Sequence, residues 1–163
     1  MRFFITGATG FIGKHLCARL SAQSHEITAL VRHPDKALQL PQKNLKIIKG
    51  DLSSFKNTSF KIPECDVVIH LAGTITATKS SEYDENNYQA VVDLFDCLLR
   101  QNFRPKRLLF ASSLAACGPS SSDFALDEHD EPNPIDAYGR AKLMAENFLL
   151  KQNDIVIPNP ISY

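Results

Sequence analysis

The sequence lacks the marks of several large protein classes. Its four cysteines, Cys17, Cys65, Cys97 and Cys117, are scattered, with no C-x-x-C pair and no histidine at ligand spacing. Neither a disulfide framework nor a zinc site is expected, no metal ligand is assigned, and each cysteine reads as a small buried thiol. No apolar run approaches the roughly twenty residues of a membrane-spanning helix. No signal-peptide pattern precedes the first predicted strand. Charge of one sign is missing too: 18 Lys and Arg balance 18 Asp and Glu. The chain therefore has no electrostatic footprint for nucleic acid or an anionic membrane. The local basic run Arg100, Arg104, Lys106 and Arg107 follows a predicted helix, where cations suit the negative end of the dipole. Together these absences leave a cytoplasmic protein with a small-molecule partner as the default expectation.

What is present is a pattern of short apolar runs alternating with helical ones. The 163 residues are 44% hydrophobic and 22% charged, ordinary values for one globular domain with a sizeable core. Strands are predicted at residues 2–6, 26–31, 45–49, 66–71, 107–111 and 155–157. Helices are predicted at 11–22, 86–100 and 136–151. In the first helix Ile12, Leu16 and Leu20 share a face. In the second, Tyr88, Val91, Val92, Phe95 and Leu98 or Leu99 repeat at helical spacing. The run Asp66–Leu71 (DVVIHL) is apolar at nearly every position, as a strand covered on both faces must be. A loop rich in Ser, Asp and Pro spans about 118–134, and there is no internal repeat. Such alternation predicts a Rossmann-type α/β fold: a doubly wound parallel sheet of about six strands in three α-β-α layers, over residues 1–163. Ligands of such sheets sit outside the carboxyl ends of the strands. A second, substrate-facing layer would follow Tyr163, so the C-terminal substrate-binding part is expected to be missing from this chain.

Between the first strand and first helix stands Thr6-Gly7-Ala8-Thr9-Gly10-Phe11-Ile12-Gly13, with glycines spaced G-x-x-G-x-x-G. A turn of this kind uses glycine for tight geometry, close backbone approach to a pyrophosphate, and helix–strand packing. Free N–H groups and the positive end of the helix dipole then hold the phosphates. The placement of the glycines in a β-α-β pattern supplies the context such a motif requires. The segment resembles the nucleotide-binding loop of short-chain dehydrogenases/reductases. Its TGATGFIG form is similar to that of their extended branch, the NAD(P)-dependent epimerase/dehydratase family, and the resemblance covers essentially the whole chain. It implies cofactor contacts from Gly7, Thr9, Gly10, Phe11, Ile12 and Gly13.

An acid about 20 residues after such a loop often binds the adenosine ribose 2′-OH. In NAD-preferring relatives it ends the second strand. Here Val31 takes that place and Arg32 follows. An Arg accepts a 2′-phosphate through charged hydrogen bonds, whereas a carboxylate repels it, so NADP(H) is favoured over NAD(H). A solvated surface charge is the other reading of Arg32, and His33 either assists it or faces solvent. By resemblance, Asp51 and Leu52 contact the adenine, although Asp is also common in turns. Leu71, Ala72 and Gly73 look like the H-x-A-[AG] segment beside the cofactor ribose, with His70 a packed strand residue. Asn87 corresponds to the Asn of the N-V-x-G-T motif, from which Tyr88, Ala90 and Val91 depart. It supports the active-site framework, or else caps a helix or faces solvent. Pro158 and Ile161 correspond to a segment that passes the nicotinamide carboxamide.

Tyr138-Gly139-Arg140-Ala141-Lys142 supplies Tyr-x-x-x-Lys on a predicted helix, which puts both side chains on one face. A phenol titrates near 10 and is alone a poor base at neutral pH, but a nearby ammonium favours its anion. Ser113, in Phe110-Ala111-Ser112-Ser113 at the end of strand five, resembles the last hydroxyl of the family's S-S-[ST] segment. The resemblance implies a catalytic set of Ser113, Tyr138 and Lys142. Ser113 hydrogen-bonds the substrate oxygen, Tyr138 exchanges its proton, and Lys142 assists Tyr138 and holds the nicotinamide ribose. Hydride transfer at a hydroxyl or carbonyl substrate follows, a nucleotide sugar being one candidate. Reduction, epimerisation and dehydration all begin this way, so the sequence does not choose among them. Two departures stand out: Cys117 replaces the usual Tyr of V-Y-G, and 157–163 lacks the usual Arg of strand six. The alternatives are a non-catalytic NADP(H)-binding sensor or assembly subunit, and an inactive fragment. Family dimers pair through the helices carrying Asn87 and Tyr138, so a homodimer is a further expectation.

Overall fold

The computed structural model describes residues 1–120, 126, 127 and 129–152. Five strands form one all-parallel sheet: β1 (Arg2–Thr6), β2 (Glu26–Val31), β3 (Leu45–Lys49), β4 (Val67–His70) and β5 (Arg107–Phe110). The spatial order is β3-β2-β1-β4-β5. The order reverses at β1, which pairs with β2 through Phe4 opposite Thr28 and with β4 through Phe4 opposite Val68. A reversal of this kind opens a crevice at the carboxyl ends of the two flanking strands. The sixth strand expected at 155–157 lies outside the described residues.

Because side chains alternate across a strand, each face of the sheet needs its own cover. Phe3, Ile5, Ile27, Ala29, Val31, Val67 and Ile69 pack with Cys17 and Leu20 of α1 (Phe11–Ala22). On the opposite face Phe4, Val68 and Leu108 pack against the later helices. The first of these is not the single helix expected at 86–100. It opens with α2 (Ser80–Tyr83), widens into a π-helical segment (Asp84–Gln89), and continues as α3 (Ala90–Leu99). The polar run Ser80–Asn87 gives no apolar periodicity, which is why a pattern-based start falls too late. Val91, Leu94, Phe95 and Leu98 are buried from α3, and Ala145 and Leu149 from α4 (Ala137–Leu150). Complete burial of each such leucine contributes about 1.5–3 kcal/mol.

Cys17, Cys65 and Cys97 are buried, but Cys117 is exposed. It closes the 3-10 turn Leu114–Ala116. Among the described residues no helix is long and apolar enough to cross a membrane, and no cluster of three His, Cys, Asp or Glu could hold a metal ion.

Candidate dinucleotide site

The glycine loop leaves β1 and turns into α1. Gly7 has φ +74°, in the left-handed region that favours glycine, and a Cβ there would stand 2.6 Å from the Ala72 nitrogen. Gly13 is equally constrained, because a Cβ would overlap the Gly7 carbonyl oxygen. Gly10 has more room: a Cβ would lie 3.2 Å from that same oxygen. The Gly10 N–H donates to Gly7 O at 3.0 Å and closes the turn. Gly10 also caps α1, yet it offers no side-chain acceptor, and the first turn carries no acid. The N-terminus of α1 is thus a concentrated positive dipole end without a neutralising side chain. Phe11 and Ile12, 82% and 62% exposed, project from it.

A cleft of about 430 Å³ opens over this loop. Its near wall is Gly7, Thr9 and Gly10, and its far wall is Leu71, Ala72 and Gly73 after β4. At the end of β2 the cleft is bordered by Arg32, His33 and Lys36, and at the end of β3 by Asp51 and Leu52. Asp51 caps the 3-10 turn Leu52–Lys56. Its Oδ1 accepts from the Ser53 hydroxyl at 2.6 Å and from the Ser53 N–H at 2.9 Å. The Ser53 hydroxyl, more than any other group, holds the Asp51 carboxyl below its ordinary titration range, with a smaller contribution from the Arg32 charge.

The far wall leads to the residues of the expected catalytic set. Asn87, fully buried in the π-helical segment, accepts from the Thr74 N–H (3.1 Å) and donates to the Thr74 carbonyl (2.9 Å). It clamps the chain just after Gly73. Gly73 itself is squeezed: a Cβ would lie 2.5 Å from Asn87 Oδ1 and 3.5 Å from Lys142 Nζ. Lys142, only 5% exposed, donates to the Ala111 carbonyl at 2.9 Å. Burial lowers its pKa to about 8, against a small opposing effect of Glu146. Its ammonium lies 5.8 Å from the Tyr138 ring centroid. Tyr138 also meets Tyr83 edge-on, with ring centroids 6.0 Å apart. Ser113 caps the 3-10 turn Leu114–Ala116 by accepting from the Ala115 N–H at 3.2 Å. That turn packs directly on α4, since a Cβ on Gly139 would overlap the Ala115 carbonyl.

His70 ends β4 beneath this corner. Its Nδ1 and Thr6 Oγ1 are 2.8 Å apart, and among the described residues its buried Nε2 has no partner. Burial first, and the Lys142 charge second, drive its pKa down to about 3, so it is a neutral, packed strand residue.

Of the residues expected at the cofactor, Gly7, Thr9, Gly10, Arg32, Asp51, Leu52, Leu71, Ala72 and Gly73 border the cleft. Phe11 and Ile12 are exposed at the start of α1 and are not in the cleft lining, Gly13 packs beneath the loop, and Asn87 holds the chain after Gly73. Ser113, Tyr138 and Lys142 stand beyond Gly73, outside the cleft lining. Pro158 and Ile161 lie outside the described residues. Sequence reasoning missed Lys36 and Asn86, both of which border the cleft. Lys36 was findable as a second cation four residues after Arg32. Asn86 was not, because nothing in the polar run around it marks which side chain faces the cleft.

Fold and site define a Rossmann-type dinucleotide-binding domain. The sequence profile of the NAD dependent epimerase/dehydratase family matches residues 3–155, and the chain belongs to that family. It is 28% identical over 167 residues to the UDP-glucose 4-epimerase of Bacillus subtilis (91% of this chain, 47% of that protein). It is 25% identical over 155 residues to a ketoreductase of Stigmatella aurantiaca acting on 4-hydroxy-2-methyl-3-oxo-4-farnesyl-3,4-dihydroquinoline-1-oxide (94% and 46%). Among solved structures, the UDP-Glc/GlcNAc 4-epimerase of Campylobacter jejuni superposes with a TM-score of 0.78 at 26% identity, over 91% of this chain and 48% of that one. MoeE5 in complex with UDP-glucose and NAD superposes at 0.76 and 29%, over 96% and 52%. The chain spans about half the length of the relatives it matches.

Proposed function

We propose that this chain is the cofactor-binding part of an NADP(H)-dependent oxidoreductase, epimerase or dehydratase that acts on a hydroxyl or carbonyl substrate. One observation carries the proposal: Gly73 borders the dinucleotide cleft, and a Cβ there would lie 3.5 Å from Lys142 Nζ, so Lys142 stands next to the cleft wall. The cofactor fits the residues present. Gly7 and Gly13 leave backbone room that any Cβ would fill, and the bare N-terminus of α1 suits a pyrophosphate. When bound, the nicotinamide cofactor supplies hydride chemistry.

The remaining work belongs to this chain. Arg32 and Lys36 offer charged donors to a 2′-phosphate at the end of β2. Lys142 has donors left after bonding Ala111 O and directs them at ribose hydroxyls. The Tyr138 hydroxyl, on the helix face it shares with Lys142, exchanges a proton with the substrate oxygen. Ser113 uses an acceptor lone pair as a cap, so its O–H stays free to donate to that oxygen. The UDP-sugar epimerases among the relatives make a nucleotide sugar one substrate candidate, and the ketoreductase makes a ketone another.

The test is a titration with NADPH and, separately, NADH. The chain has no tryptophan, so nicotinamide emission is followed. Saturable binding tighter for NADPH is expected, and R32A or K36A should weaken it roughly tenfold each, about 1.4 kcal/mol. Preference for NADH would overturn the roles of Arg32 and Lys36. Tyr138→Phe should abolish turnover and leave binding intact. Surviving turnover would remove Tyr138 as the proton carrier.

A further inference from the structure

Lys142 keeps a buried ammonium without a carboxylate. Among the described residues no acid lies within ion-pair distance of it. The groups facing it are Tyr138 and Glu146 from its own helix, His70 from β4, and the Ala111 carbonyl from the end of β5. His70 is neutral and supplies no counter-charge. One further group touches the ammonium: the ring of Phe110, whose centroid is 4.6 Å from Nζ. That distance is within the range at which a ring quadrupole attracts a cation, and desolvation strengthens the attraction. The Phe110 ring is itself backed by His70, stacked at 6.1 Å and 22°. His70 in turn is tied to Thr6 at 2.8 Å, at the root of the glycine loop.

We propose that Phe110 is a positioning residue for Lys142: its π face, backed by the His70 ring, seats the ammonium that the Ala111 carbonyl orients. A carboxylate in that place would pin Lys142 and spend its donors. An aromatic face stabilises the charge and leaves them free. The inference deepens the catalytic reading given above and rests on it for its purpose. The seat itself concerns only the ammonium and is testable without cofactor or substrate.

The experiment is a titration of lysine side-chain NH₃⁺ resonances by NMR on the complete chain, with Lys142→Met identifying the Lys142 signal. The wild-type Lys142 signal should titrate near 8. Phe110→Leu should lower that midpoint by about half a unit or more, and Phe110→Tyr should restore it. Trifluorophenylalanine at position 110, which keeps the shape and withdraws π density, should lower it too, and serves where the leucine variant fails to fold. An unchanged or raised midpoint in either folded variant would overturn the proposal. Loss of NADPH binding in the wild type, with the midpoint shift intact, would instead fault the catalytic reading and leave the seat standing.

Discussion

Lys142 and His70 are two basic side chains whose charged forms the fold disfavours, and both make stability depend on pH in the same sense. Each has a folded pKa below its unfolded one, so the unfolded chain binds more protons between the two values and stability rises with pH there. For His70 the window runs from about 3 to 6.5. Acidification through it should destabilise the protein, and His70→Asn should flatten that limb, as measured by urea unfolding at pH 7 and pH 4. An equally steep acid limb in the variant would refute the assignment. For Lys142 the window runs from about 8 to 10.5. The cost of its buried charge is fully present at neutral pH, so Lys142→Met should raise stability there by about 1–3 kcal/mol while eliminating turnover. At the same scale Gly13 and Gly10 of the loop should separate. Gly13→Ala should cost at least about 1–3 kcal/mol and the cofactor site, because its Cβ has only backbone to displace, whereas Gly10→Ala should fold. Thermal unfolding of the pair checks both.

At the scale of the element, α4 carries Tyr138 and Lys142, and two features set its position. Asp136 caps it by accepting from the Gly139 N–H at 2.6 Å. Gly139 lets it lie against the Ala115 carbonyl of the turn that Ser113 begins. Gly139→Ala should push the helix, with Tyr138 and Lys142, off the turn that Ser113 caps. Turnover should then fall more than NADPH affinity, since the glycine loop and Arg32 are not on α4 and keep their place; comparing the two constants tests this. Asp136→Ala should cost about 1 kcal/mol through loss of the cap. The elements were legible wherever period and punctuation agreed. The strands at 2–6, 26–31 and 45–49 and the helix at 11–22 coincide with β1, β2, β3 and α1. The polar stretch 80–85, ahead of the expected start at 86, was not, because it carries no apolar period of its own and is followed by tertiary clamps such as Asn87 on Thr74. The site followed the same division. Glycine spacing and Tyr-x-x-x-Lys are local and readable. The Phe110 contact to Lys142 joins residues 32 positions apart and exists only once β5 and α4 are packed.

The molecule as a whole ties ligand to stability through its central strand. A ligand at a hundred times its dissociation constant stabilises a folded protein by about 2.7 kcal/mol. For a domain of this size that is a rise of roughly 5–10 °C in Tm. Saturating NADPH should give such a rise, and NADH at the same concentration a smaller one. Equal shifts would contradict the preference proposed for Arg32 and Lys36.

The placement of β1 between β2 and β4 also has a consequence in time. During synthesis β1 and the glycine loop leave the ribosome before β2 and β4, and β2 follows soon enough to pair with β1. The other wall, Leu71–Gly73, is translated some sixty residues after the loop it faces. A nascent chain stalled before residue 71 therefore has the phosphate-binding turn but no crevice. Capacity to retain a nucleotide should appear abruptly as β4 docks, late in translation of a motif that begins at the first strand.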